Sequence, residues 1–209
     1  MGNKSLSLNI FNIKFMKKII VALTFIVSIL NLNAQKLSYG PILGVAFYEV
    51  NNSSSSSNFK KDDNTILNLG GYAEYNFTEN SGVKTEVTFN NKNIKVLNSE
   101  SKIEMSFFEI APSFKYDFGE EYRKGFYMML GPKFSFMTKA ESIGQDVKDE
   151  FNTTNVAAQI ALGQRVAKYI DVQLKFDYDL TPFMDANGRK SSFFGANLSL
   201  NLDLEKILN

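Results

Sequence analysis

From Ile170 to Leu180 the chain reads IDVQLKFDYDL, in which Ile170, Val172, Leu174, Phe176, Tyr178 and Leu180 alternate without a break with Asp171, Gln173, Lys175, Asp177 and Asp179. Side chains of a β-strand point alternately to its two faces, so a strict period of two over eleven residues marks a strand with one apolar and one charged face. Phe194 to Leu204 repeats the pattern, and Phe126 to Phe136 follows it with Phe126, Met128, Leu130, Phe134 and Phe136 on one face. Noisier segments cover Leu37 to Phe47, Thr65 to Phe77, Val83 to Phe89, Phe108 to Phe118 and Val156 to Val166. The expected architecture is therefore eight antiparallel strands, most of them near the roughly 9 to 11 residues that a tilted strand needs to cross a bilayer.

The segments that precede and join these strands point the same way. MKKIIVALTFIVSILNLNAQ, from Met16, has a basic start at Lys17 and Lys18, an apolar stretch from Ile19 to Leu30 and a small-residue zone ending at Ala34. That is the pattern of a cleaved export signal, with residues 1–15 as an extended or misassigned start, and it is too short for a membrane anchor. Residues 1–34 are thus expected to be a signal peptide and 35–209 the barrel domain. The connections at 78–82, 119–125 and 167–169 are short, whereas those at about 49–64, 90–102, 138–153 and 181–191 are longer. Alternating short turns and long loops characterise outer-membrane barrels, with the turns periplasmic and the loops outside the cell.

Composition removes whole classes of function. The chain has no Cys and no His, which excludes disulfides, thiolate zinc sites, thiol nucleophiles and histidine acid/base chemistry. Lys4, Lys14, Lys17 and Lys18 all precede residue 35, leaving 19 bases against 22 acids in the exported part. A net charge near −3 gives no footing for a phosphate backbone, so nucleic acid is not an expected partner.

Period two does not say which face is outside, since a soluble lipocalin-like carrier would bury the apolar face. Here that face is bulkier than an eight-stranded interior can hold, and the other face carries Gly and charges of both signs. The charged face is therefore expected to be the lumen, holding Glu74, Glu86, Glu109, Asp117, Asp171, Asp177, Asp179 and Asp203 with Lys84, Lys115, Lys133, Arg165 and Lys175. Buried charges of opposite sign in a narrow barrel form a structural network of ion pairs. Asp171, Asp177 and Asp179 share a face, but no calcium-loop spacing accompanies them, so neither metal nor cofactor is expected. Phe47, Phe77, Phe89, Phe118, Phe126, Tyr169, Tyr178 and Phe194 sit near strand ends, where interfacial aromatic girdles lie.

FEIAPSFKYDF (108–118), with Glu109, Ile110, Pro112, Lys115 and Tyr116, resembles a strand of the PorT-like small outer-membrane β-barrel proteins of Bacteroidota. GFYMMLGPKFSF (125–136), the NAQ that ends the signal and YGPILGVAF (39–47) are similar to that family as well, over about 35–205. The resemblance implies an eight-stranded up-and-down transmembrane barrel in the cell envelope, and no catalytic residues. The expected partners are outer-membrane lipid, the barrel assembly machinery and a surface protein or glycan. The alternatives are a soluble periplasmic ligand-binding barrel and an outer-membrane lipid-modifying enzyme, which in resembling barrels relies on His with Ser.

Overall fold

The computed structural model describes residues 37–53, 59–62, 66–96, 101–119, 125–186 and 189–208. The expected signal segment and the proposed cleavage point at Gln35 lie outside them. Eight long strands run β1 Leu37–Asn52, β2 Ile66–Asn76, β3 Ser81–Val96, β4 Lys102–Asp117, β5 Phe126–Ser142, β6 Thr154–Ala167, β7 Ile170–Asp179 and β8 Arg189–Leu202. Each pairs with its sequence neighbour, and β8 pairs antiparallel back onto β1 from Ile42↔Asn201 to Asn52↔Ser191. The sheet is thereby a closed eight-stranded antiparallel barrel, and closure leaves none of the eight long strands as an open edge.

The strands outrun their expected bounds, almost wholly at the end carrying the long connections. β3 and β4 stay in register to Lys95↔Lys102, and β5 pairs with β4 as far as Ser142↔Ile103. Much of the expected loops at 49–64, 90–102, 138–153 and 181–191 is thus strand. Short strands at Phe59–Lys61, Gln145–Asp146 and Met184–Ala186 pair onto β3, β5 and β8. The hairpin from Ser142 to Gln145 turns through Ile143 and Gly144, both at positive φ. Two positive-φ residues make a turn whose twist matches the flanking strands.

Along β4 the inward residues are Ile103, Met105, Phe107, Glu109, Ala111, Ser113, Lys115 and Asp117. The parity never slips, but the chemistry inverts between Phe107 and Phe108. Below this level the wall shows Phe108, Ile110, Phe114 and Tyr116 outside and polar groups inside; above it, Lys102, Glu104 and Ser106 are outside and Ile103, Met105 and Phe107 inside. β3 inverts beyond Phe89, where Asn91, Asn93 and Lys95 face out and Ile94 is fully buried. β8 inverts at Phe193 and Phe194.

Exposed Phe47, Phe89, Phe136, Phe194 and Tyr178 ring the wall at the inversion, with Phe89 and Phe108 ring centres 5.0 Å apart. A second ring at the turn end contains Phe77, Tyr116, Phe118 and Phe126. From Phe108 to Phe118 the strand takes ten steps, which at about 3.3 Å per residue and a tilt of roughly 40° spans about 25 Å, the height of a barrel's lipid-facing band. A soluble barrel would hide this belt of Leu43, Leu69, Leu130, Ile160, Phe176, Leu198 and Leu200; here every one is exposed.

Candidate functional site

The lumen is a stack of ion-paired layers. At the turn end Arg165 grips Asp171 through Nε, reaches Asp203 through Nη2 at 3.1 Å and donates to the Lys168 carbonyl at 3.0 Å. β6, β7 and the segment after β8 are locked together by this one guanidinium, whose planar fork suits two carboxylates at once. Next, Lys115 Nζ lies 2.8 Å from Glu74 and 3.1 Å from Asp117, and stands 4.4 Å from the Tyr127 ring centre. Tyr127 fits because its register partner is Gly163, where an added Cβ would overlap the ring.

The middle layer is built on Glu86 and Gln173. Glu86 accepts from Lys175 at 2.6 Å and from the Gln173 amide at 2.9 Å, with Lys84 Nζ 3.3 Å away. The Gln173 carbonyl in turn accepts from Lys84 at 2.9 Å, Tyr127 at 3.1 Å and Asn201 at 2.8 Å. Lys84 also lies over the Tyr72 ring. Above this, Glu109 accepts from Asn90 at 2.8 Å, Ser135 at 3.0 Å and Lys92 at 3.1 Å, while Lys133 joins Glu109 to Asp177. Asp179 closes the polar stack by accepting the Phe193 backbone N–H at 3.2 Å.

The structure places Glu74, Lys84, Glu86, Glu109, Lys115, Asp117, Lys133, Asp171, Lys175, Asp179 and Asp203 in the buried interior, and Arg165 and Asp177 half-buried at its margins. Lys92 belongs with them, although sequence reasoning put it in a surface loop; the alternation of Lys84, Glu86, Thr88 and Asn90 carries on to it unbroken. Neutral Gln173, Asn90, Ser135 and Tyr127, outside the expected set, join the charged groups by hydrogen bonds.

Above Asp179 the interior turns apolar. Tyr48, Phe107 and Phe193 from the wall meet Phe59, Phe151 and Phe183 from the connections. Phe183 stacks on Phe193 at 4.3 Å, and Lys92 lies 4.8 Å and 4.9 Å from the Phe107 and Phe193 ring centres, joining the two regions by cation–π contact. At the rim Asp62 bridges Lys95 and Lys102, and its hydrogen bond from Lys95, with Lys102 beside it, holds its carboxyl below the ordinary carboxylate range. Among the described residues no group of three or more acidic side chains is arranged to hold a metal ion. The arrangement can neutralise charge, and the described lumen residues enclose a cavity of about 40 Å³.

A family model described as outer membrane protein beta-barrel domain matches residues 33–185. The chain belongs to this family. Among solved structures it is similar to Neisserial surface protein A, with 14% identity over 80% of this chain and 99% of that one and a TM-score of 0.51. It is also similar to Ail of Yersinia pestis, with 13% identity, 80% and 100% coverage and a TM-score of 0.48. OprG of Pseudomonas aeruginosa follows with 14% identity, 80% and 94% coverage and a TM-score of 0.44. At such identities the likeness concerns the fold. No curated protein matches the chain in sequence.

Proposed function

We propose that the chain is exported by its N-terminal segment, loses residues 1–34, and works as a non-enzymatic outer-membrane protein of the PorT-like kind found in Bacteroidota. Its role is structural or one of surface interaction, with outer-membrane lipid and the barrel assembly machinery as partners and a surface protein or glycan at the loop end. The observation that carries this reading is the pairing of an exposed apolar belt, ringed by aromatics, with a lumen filled by ion pairs and closed by aromatic packing. A pore needs an open path and an enzyme a reachable reactive group, so a lumen occupied by paired charges favours the structural or surface-interaction reading.

Cysteine labelling tests the orientation in a chain with no native Cys. Asp146→Cys at the loop end should react with an impermeant maleimide on whole cells, and Glu79→Cys at a turn should not. The reverse pattern, or extraction of the protein from envelopes by salt alone, overturns the reading. Planar-bilayer recording supplies the other arm: the purified protein should give no stable large conductance steps.

A further inference from the structure

The cavity of about 40 Å³ lies beside Ala46 and Tyr48 of β1, between the Glu86 and Glu109 layers and Asp179. One water needs roughly 10 to 15 Å³ of such space, so the cavity takes two or three waters or a partly hydrated ion. Four buried amide oxygens on its lining receive no hydrogen bond from the protein: those of Asn68, Asn90, Gln159 and Asn197. The orientation of two is fixed, because the Asn90 amide donates to Glu109 and the Gln159 amide to Asp177.

Charge singles out the ligand. The lining carries four carboxylates, Glu86, Glu109, Asp177 and Asp179, against three ammonium groups, Lys92, Lys133 and Lys175. Each ammonium is directed at a carboxylate, at 3.1, 3.0 and 2.6 Å, and among the described residues only Asp179 of the four lacks an ion pair. Glu86 has a second ammonium in Lys84, 3.3 Å away just outside the lining, so the charges match in number, but Asp179 has no ion pair of its own among the described residues. Water would satisfy the amide oxygens yet leave that buried carboxylate without a counter-charge beside it, which is costly inside a barrel surrounded by lipid. A divalent ion would want more carboxylates than one.

We propose that this cavity binds a single alkali-metal cation, with Asp179 supplying the charge and the four amide oxygens serving as ligands directly or through water. Neutral carbonyl oxygens replacing a hydration shell are a known way to hold such ions. The ion would give Asp179 a counter-charge directly beneath the aromatic closure, independently of which way the barrel faces.

The test compares thermal unfolding of the full-length exported chain, folded in micelles, in potassium, sodium and N-methylglucamine chloride at matched ionic strength. A saturable rise of about 3 to 5 °C in at least one alkali salt is expected at about ten times the dissociation constant. Asp179→Asn should abolish the cation dependence, and Asn197→Lys should replace the ion with a tethered ammonium and make unfolding indifferent to the salt. Sodium NMR line broadening by the wild type, absent with Asp179→Asn, gives a readout apart from stability. Identical midpoints in all three salts, or a midpoint that follows pH with no dependence on the cation, overturns the proposal. If neither variant folds, the wild-type salt comparison decides alone.

Discussion

The same eight strands enclose two regions of opposite chemistry. Between the aromatic rings, the inward side chains are Glu86, Lys175, Glu109, Lys133 and their hydrogen-bonding neighbours; above the upper ring they are Ile94, Ile103, Met105, Phe107 and Phe193. In the upper region the wall meets water, so burying apolar side chains drives cohesion as in any soluble core. In the lower region the outer wall meets lipid, which is as apolar as the side chains it touches, and cohesion must come from hydrogen bonds and ion pairs. A strand thus takes its inward chemistry from whatever lies outside it, and a single strand changes strategy where the solvent changes.

The difference predicts how each region breaks. Lys175→Ala takes from Glu86 the nearer of its two ammonium groups and leaves Lys84 at 3.3 Å, so it should cost up to about 3 to 5 kcal/mol of barrel stability, read from urea unfolding in lipid vesicles and from loss of heat-modifiable gel mobility. Replacing both Glu86 and Lys175 by Leu should recover little of it, because Lys84 then loses the carboxylate 3.3 Å away and becomes the unpaired buried charge. If the single variant is as stable as wild type, the lower region does not rest on pairing. Phe183→Ala should cost about 3 kcal/mol, as large-to-small core changes do, but only above the ring. Hydrogen exchange and protease cleavage at 146–152 should rise while gel mobility holds; simultaneous loss of both would mean the two regions unfold as one.

Smaller changes sharpen the boundary. Gly163→Ala pushes a methyl group into the Tyr127 ring and so disturbs its bond to Gln173 and its contact with Lys115, at a cost of about 1 to 3 kcal/mol. The companion variant Gly163→Ala with Tyr127→Leu should regain part of this. The smallest effect concerns pH. Since the Asp62 carboxyl is held below its ordinary value when folded, its contribution is present above the unfolded carboxylate range and is lost as pH falls through the lowered value. Exchange protection at 59–61 should fall along that acid limb, and Asp62→Asn should flatten it.

Strand number, order and closure were legible because Ile170–Leu180 and its like state their period plainly. The height of the barrel was not. Phe107 next to Phe108, and Phe193 next to Phe194, read locally as a break in alternation, yet each pair is continuous strand with the polarity of its faces exchanged. Among the lumen groups, period two assigns a face to Glu86 and to Lys175, but not the fact that they meet. Those residues lie 89 apart in sequence on strands that face one another across the lumen, and such partners follow from closure and register. For Gln173 the period gives the polar face but not the role: a neutral amide carries no charge to mark it as a hub, though its carbonyl takes three donors here.

The exchange of faces at Phe107–Phe108 also sets how deep the molecule sits. Were the barrel to sink by one pleat, Ser106 and Lys139 would move toward the acyl chains while Phe118 and Phe126 left them at the opposite leaflet. A lysine costs roughly 0 to 1 kcal/mol near the interface and about 2 to 4 kcal/mol at mid-bilayer, so the penalty climbs with every further step. Rising instead would lift Phe89, Phe108 and Phe136 into water. The polarity switch therefore works as a waterline on the protein, holding the aromatic closure and the groups that face outward around it at a constant elevation above the membrane.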